Sequence, residues 1–109
     1  MYPVVYYLIR SDLSKGVLLH EVATSTTKLH GLLRLNKRFQ ADLTHSLPRI
    51  LEVPNEQALQ LYRARMKAHN TPCHLNTYQG RGSVLVAGPT QNPIIRNILQ
   101  TLKDVKPYQ

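Results

Sequence analysis

From Val4 to Ile9 the chain reads Val-Val-Tyr-Tyr-Leu-Ile, with no polar residue to interrupt it. β-Branched, aromatic and aliphatic side chains in an unbroken run leave a strand no face to turn to water. Such a strand belongs in the interior of a sheet covered on both sides. That requirement limits the chain to an α/β architecture with helices above and below. The run ends in a polar turn, Arg10-Ser11-Asp12-Leu13-Ser14-Lys15-Gly16, and a helical pattern follows directly. The carboxyl end of a buried strand, where the chain turns into a helix, is where open α/β sheets place ligands. Arg10, Asp12 and Lys15 are therefore the first candidates for a site.

At 109 residues the chain suffices for one domain with its own core, spanning 1–109. Fourteen Lys and Arg against six Asp and Glu give a formal charge of +8. A field of that size attracts polyanions: RNA, DNA, nucleotides or an anionic membrane surface. Cys73 is the only cysteine, so an internal disulfide is excluded and nothing points to an oxidising compartment. No signal-like leader is seen, and no apolar run has the length of a membrane span. A soluble, cytoplasmic protein with no membrane contact is the expectation.

Ser14 is placed to cap a helix in which Leu18, Val22, Ala23, Thr26, Leu29 and Leu33 fall near helical spacing. Gly31 is expected to divide it, a second helix carrying Leu32 to Phe39. Pro48 opens a short strand, Arg49 to Val53. Pro54-Asn55-Glu56 then stops the strand and caps a helix running to about His69, with Asn70 as its left-handed stop. Cys73–Tyr78, the turn Gln79-Gly80-Arg81-Gly82 and Ser83–Ala87 form a hairpin pattern, which Gly88-Pro89 should end. Asn92-Pro93 supplies a cap and a first-turn proline for the last helix, whose apolar positions are Ile95, Ile98, Leu99, Leu102 and Val105. The order predicts a three-layer α/β/α domain with a four-stranded mixed sheet, its first half parallel and its closing hairpin antiparallel.

Several of these segments resemble the type II peptidyl-tRNA hydrolases, the archaeal and eukaryotic kind. Leu8-Ile9-Arg10-Ser11-Asp12-Leu13 is similar to that family's opening strand and its Arg-x-Asp-Leu ending. Ile50 to Leu59 is similar to its second strand, Pro-Asp-Glu cap and following leucine. Ser83 to Pro89 is similar to its last strand and Gly-Pro stop. The resemblance covers nearly the whole chain as an ordered set of short matches. It implies a hydrolase acting on the ester bond of peptidyl-tRNA, without cofactor, and a homodimer.

The catalytic pattern departs from the family's Gly-Lys-x-Ala-Ala-Gln-x-x-His-Ala arrangement. Setting Gly16 on its glycine puts Val17 at the lysine, Glu21 at the glutamine and Thr24 at the histidine. Lys15 lies one position before that glycine and can stand in for the missing lysine. The family's later Asp-Ala-Gly-x-Thr cluster has no counterpart. The alternative is a binding module of the same fold that holds RNA or a small nucleotide without turnover.

The catalytic candidates are thus Lys15 as an ester-polarising group, Asp12 to orient it and Glu21 to position water or the terminal adenosine. Arg34, Lys37 and Arg38 put three cations within five residues, at spacings that share a helix face, and together with Lys28 and Arg81 they are the nucleic-acid candidates. A cleft is expected to draw on Arg10, His20, Thr24, Tyr78, Thr90 and Asn92, with Tyr78 available for base stacking and Thr90 and Asn92 at a helix start suited to anions. Each of these residues also has a plain reading as a solvated surface or capping group. His69, Cys73 and His74 form one cluster without a second ligand set, so no metal site is expected.

Overall fold

The structure, a computed structural model, describes residues 3–34, 42, 45–101 and 106–107. The elements are β1 (Val4–Arg10), α1 (Lys15–Leu33), β2 (Leu47–Val53), α2 (Glu56–Ala68), β3 (Cys73–Tyr78), β4 (Arg81–Thr90), α3 (Pro93–Thr101) and the two-residue β5 (Lys106–Pro107). The sheet order is β3-β4-β1-β2-β5. β1 lies at its centre, as an apolar run of that length requires. β2 pairs parallel to β1, whereas β4 runs antiparallel to both β1 and β3. A four-stranded mixed sheet results, with β5 pairing on the outer side of β2.

Side-chain alternation along β1 divides the core into two layers. Tyr6 and Leu8 pack with Leu85 and Ala87 of β4 against α2 and α3, where Leu59, Tyr62, Met66 and Ile95 have no exposed surface. Val5 and Ile9 face the other way, against Leu18, Leu29 and Leu33 of α1 and Val84 and Val86 of β4. Each of these large side chains contributes roughly 1.5–3 kcal/mol by leaving water. The three-layer arrangement follows from a strand that is apolar on both faces.

Local signals place the element ends. Ser14 Oγ accepts a hydrogen bond from Val17 N at 3.3 Å, Asn55 Oδ1 from Ala58 N at 2.9 Å and Asn92 Oδ1 from Ile94 N at 2.9 Å. Asn70 adopts a positive φ of 55° after α2. Gln79 and Gly80 both have positive φ, 53° and 79°, which a two-residue type I′ hairpin turn demands. The turn is therefore shorter than the four residues expected, and Arg81 and Gly82 already belong to β4.

Two expectations are corrected. Gly31 does not divide the first helix within the described residues: α1 continues through it to Leu33, because Leu29 and Leu33 are both held in the core. Leu35 to Phe39, the rest of the expected second helix, lies outside the described residues, as do Leu102 and Val105. Gly88-Pro89 does not end β4 either, since the strand runs on to Thr90. The register with β1 shifts between Val4 and Tyr6, and that irregularity accommodates the Gly-Pro pair near the sheet's end, with Thr90 opposite Val4. Among the described residues no helix is long and apolar enough to cross a membrane.

Candidate functional site

Because β1, β2 and β3 run the same way, their carboxyl ends gather at one end of the sheet. The start of β4 and the amino-terminal ends of α1 and α2 lie there too. Arg10 is the last residue of β1, and its side chain is only 9% exposed. The guanidinium donates from Nε to Asp12 Oδ1 at 2.9 Å and from Nη2 to Asp12 Oδ2 at 3.0 Å, a bidentate pair. Its Nη1 donates to the Gly82 carbonyl at 2.9 Å, which ties the strand end to the hairpin. The Arg10 hydrogen bonds hold the Asp12 carboxyl below its ordinary pKa, and the Arg81 charge acts in the same direction. Arg10 is itself raised, chiefly by the Asp12 hydrogen bond. Glu56, in the first turn of α2, accepts from Gly82 N and closes the same corner.

Lys15 is the first residue of α1 and is exposed. It makes no ion pair among the described residues, so its ammonium stands free at the helix start, three residues from Asp12. Asp12 is engaged by Arg10 and not by Lys15. Its side chain is 58% exposed, which leaves one edge of the carboxylate open to solvent. Arg81 and Tyr78 sit opposite each other where β3 meets β4, Arg81 exposed and Tyr78 half-buried. Arg10, Asp12, Lys15, Arg81 and Tyr78 therefore occupy one end of the molecule, a mainly cationic corner with a single clamped carboxylate.

Glu21 is buried between α1 and the sheet, against the residue that follows Gly82. Ser83 Oγ lies 2.6 Å from Glu21 Oε1 and 3.1 Å from the Asn76 carbonyl oxygen, with Ser83 wholly buried. His20, one residue earlier and 75% exposed in its side chain, brings Nε2 to 4.0 Å from Glu21 Oε2. The Thr24 hydroxyl is turned back onto the helix, donating to the His20 carbonyl at 2.9 Å. Ser83 and Gly82 were not singled out by sequence reading. Both act through long-range contacts to Glu21, Arg10 and Glu56, and no local pattern marks them.

Thr90 and Asn92 lie at the opposite end of the sheet from Arg10. β4 runs antiparallel to β1, so Thr90 stands beside Val4, and the length of β1 separates the two groups by about 20 Å. There the Thr90 hydroxyl accepts from Asn92 N at 3.0 Å and Asn92 caps α3. Together with His69, Asn70, Thr71 and Gln91 they line an open cavity of about 420 Å³. The expected single cleft is thus two separate places. Lys28 is exposed on α1 and Arg34 is exposed at its C-cap, and Lys37 and Arg38 lie outside the described residues. Cys73 and His74 are adjacent in β3, so their side chains leave opposite faces of the sheet. Burial lowers the His74 pKa, and the Lys28 charge lowers it further.

A scan against protein-family models finds no matching family, and a comparison with curated proteins finds no matching relative.

Proposed function

We propose that the chain is a cytosolic peptidyl-tRNA hydrolase-like protein that receives the 3′ end of a charged RNA at the carboxyl end of β1. The observation that carries the reading is the corner itself. A free ammonium on Lys15 starts α1, Arg81 stands on the neighbouring hairpin, and Arg10 fixes Asp12 between them. Two capped helices begin at this end and direct the positive ends of their dipoles toward it. An ester carbonyl placed against Lys15 would have its developing oxyanion stabilised by the ammonium as water attacks. Asp12, with its pKa lowered, is a weak base. Its part is to hold the cationic corner in shape and to accept a hydrogen bond from the substrate. The excess of basic residues over the rest of the surface supplies a sequence-independent hold on the phosphate backbone.

A second reading, a binding module without turnover, is favoured by one observation. Glu21, aligned with the residue that the resemblance assigns to positioning, is buried and occupied by Ser83. The two readings separate in one experiment. N-acyl-aminoacyl-tRNA is incubated with excess protein, and ester loss is followed beside RNA binding. Hydrolysis above the spontaneous rate supports the enzyme, whereas tight binding that protects the ester supports the module. Neither binding nor hydrolysis would overturn both.

A further inference from the structure

β3 forms one edge of the sheet, and among the described residues nothing pairs with its outer side. The strand has no charged side chain and no proline, two of the usual devices that keep an edge from pairing. Gly88 N donates to the Pro72 carbonyl at 2.7 Å, one register step beyond the Cys73–Ala87 pair. By the alternation of an antiparallel ladder, the N–H and C=O groups of His74 turn toward β4, and those of Cys73 and Leu75 turn outward.

Cations reach this edge from both faces. α2, which packs against β3 on one face of the sheet, carries Arg63 and Lys67 four residues apart, and burial on that face raises the Cys73 thiol pKa. α1, which packs against β3 on the other face of the sheet, carries the exposed Lys28. None of the three has an ion pair among the described residues. Asp12, Glu21 and Glu56 are engaged by Arg10, Ser83 and Gly82, Glu52 is on β2, beyond β4 and β1, and Asp42 lines the cavity with Thr71 and Pro72 ahead of the start of β3. Cations without ion pairs on both helices that cover this open strand offer complementary charge to an acidic partner.

We propose that the β3 edge, with Lys28 above and Arg63 and Lys67 below, accepts an extended acidic segment of a protein partner as an added strand. Successive side chains of an added strand point to opposite faces, so acidic residues at neighbouring positions meet Lys28 on one side and Arg63 and Lys67 on the other. The outward carbonyl oxygens of Cys73 and Leu75 decide between a peptide and RNA. A peptide backbone brings an N–H to each of them, whereas a phosphodiester brings a second acceptor. The proposal is independent of the chemistry at Lys15.

The test uses an end-capped hexapeptide of glutamate and valine, with glutamate at positions one, three, four and six. It is compared with its glutamine counterpart, a backbone N-methylated form and a ten-nucleotide oligouridylate. Amide exchange by NMR reads the edge directly. The glutamate peptide is expected to protect the Cys73 and Leu75 amides and to lose affinity as salt rises, while the glutamine and N-methylated forms do neither. Arg63→Ala and Lys67→Ala each weaken binding by up to about fivefold. Lys67 is exposed and Arg63 half-buried, and unchanged melting temperatures will show the variants folded. Protection elsewhere, or affinity indifferent to the two substitutions, overturns the proposal. Oligouridylate shifting these amides while the peptide leaves them untouched also overturns it and makes the edge an RNA contact.

Discussion

Arg10 and Asp12 close a two-point clamp at the end of the central strand, with Nε on Oδ1 at 2.9 Å and Nη2 on Oδ2 at 3.0 Å. The same guanidinium reaches Gly82 across 72 residues of sequence. One side chain thus joins the strand end, the turn that follows it and the hairpin. Removing the acid leaves a nearly buried cation facing one carbonyl.

Asp12→Asn should lower stability at neutral pH, and the pH dependence fixes the sign. The folded carboxyl titrates below its unfolded value. Its contribution is therefore fully present above about pH 4 and disappears as pH falls through the lower, folded pKa. Thermal melts of wild type and Asp12→Asn between pH 2 and 7 should diverge above pH 4 and converge at the acid end. A gap of constant size would show that Asp12 acts by shape and not by charge.

The contact between Glu21 and Ser83 spans 62 residues and lies wholly inside the protein. Ser83→Ala removes a hydroxyl that Glu21 cannot replace with water, at a cost of about 1–3 kcal/mol. Urea denaturation measures it. Combining Ser83→Ala with Glu21→Leu should recover part of the loss, because the polar group left unpaired is removed as well. A strictly additive double variant would mean that the two side chains do not depend on each other.

Gly88 has φ of +116°, and a Cβ there would sit 2.6 Å from the Val4 carbonyl oxygen. That oxygen belongs to the backbone of the central strand and cannot swing aside. Gly88→Ala should cost about 3 kcal/mol or more. Gly31→Ala, where a Cβ meets nothing within 4 Å, should be neutral or mildly stabilising in its helix. Equal melting temperatures for the two variants would contradict this account of the strand's end.

What the sequence disclosed was what is decided locally. The unbroken run from Val4 to Ile9 gave the central strand, and the caps at Ser14, Asn55 and Asn92 gave three helix starts. Tyr78 and Arg81 flank a turn that Gln79-Gly80 could announce. What it withheld depends on partners far along the chain. Pro89 reads as a stop, yet Thr90 still pairs with Val4 once the register has shifted. Glu21 reads as a surface acid until Ser83 is brought over it. Thr90 and Asn92 read as neighbours of the strand-end corner, but the antiparallel course of β4 carries them to the far end. The clamp of Arg10 on Asp12 was half visible: both residues were marked, but the sequence reading paired Asp12 with Lys15.

Lys15 bears the last and most exposed prediction. It begins α1 behind the Ser14 cap, exposed and without an ion pair among the described residues, so no ion pair has to break before its ammonium meets a ligand. If an ester is hydrolysed here, that ammonium meets the oxyanion. Lys15→Ala should then slow single-turnover cleavage of N-acyl-aminoacyl-tRNA on the order of a hundredfold while altering RNA affinity little. Lys15→Arg keeps the charge but moves it, and should restore part of the rate. A binding module behaves differently: Lys15→Ala weakens affinity by the worth of one phosphate contact and lowers the slope of log K against log salt by about 0.7–0.9. The substitution leaves the buried core untouched, so its melting temperature should match wild type within a few degrees. Cleavage that proceeds at the wild-type rate in Lys15→Ala would remove this residue from the chemistry and turn attention to Arg81, whose charge also acts on Asp12.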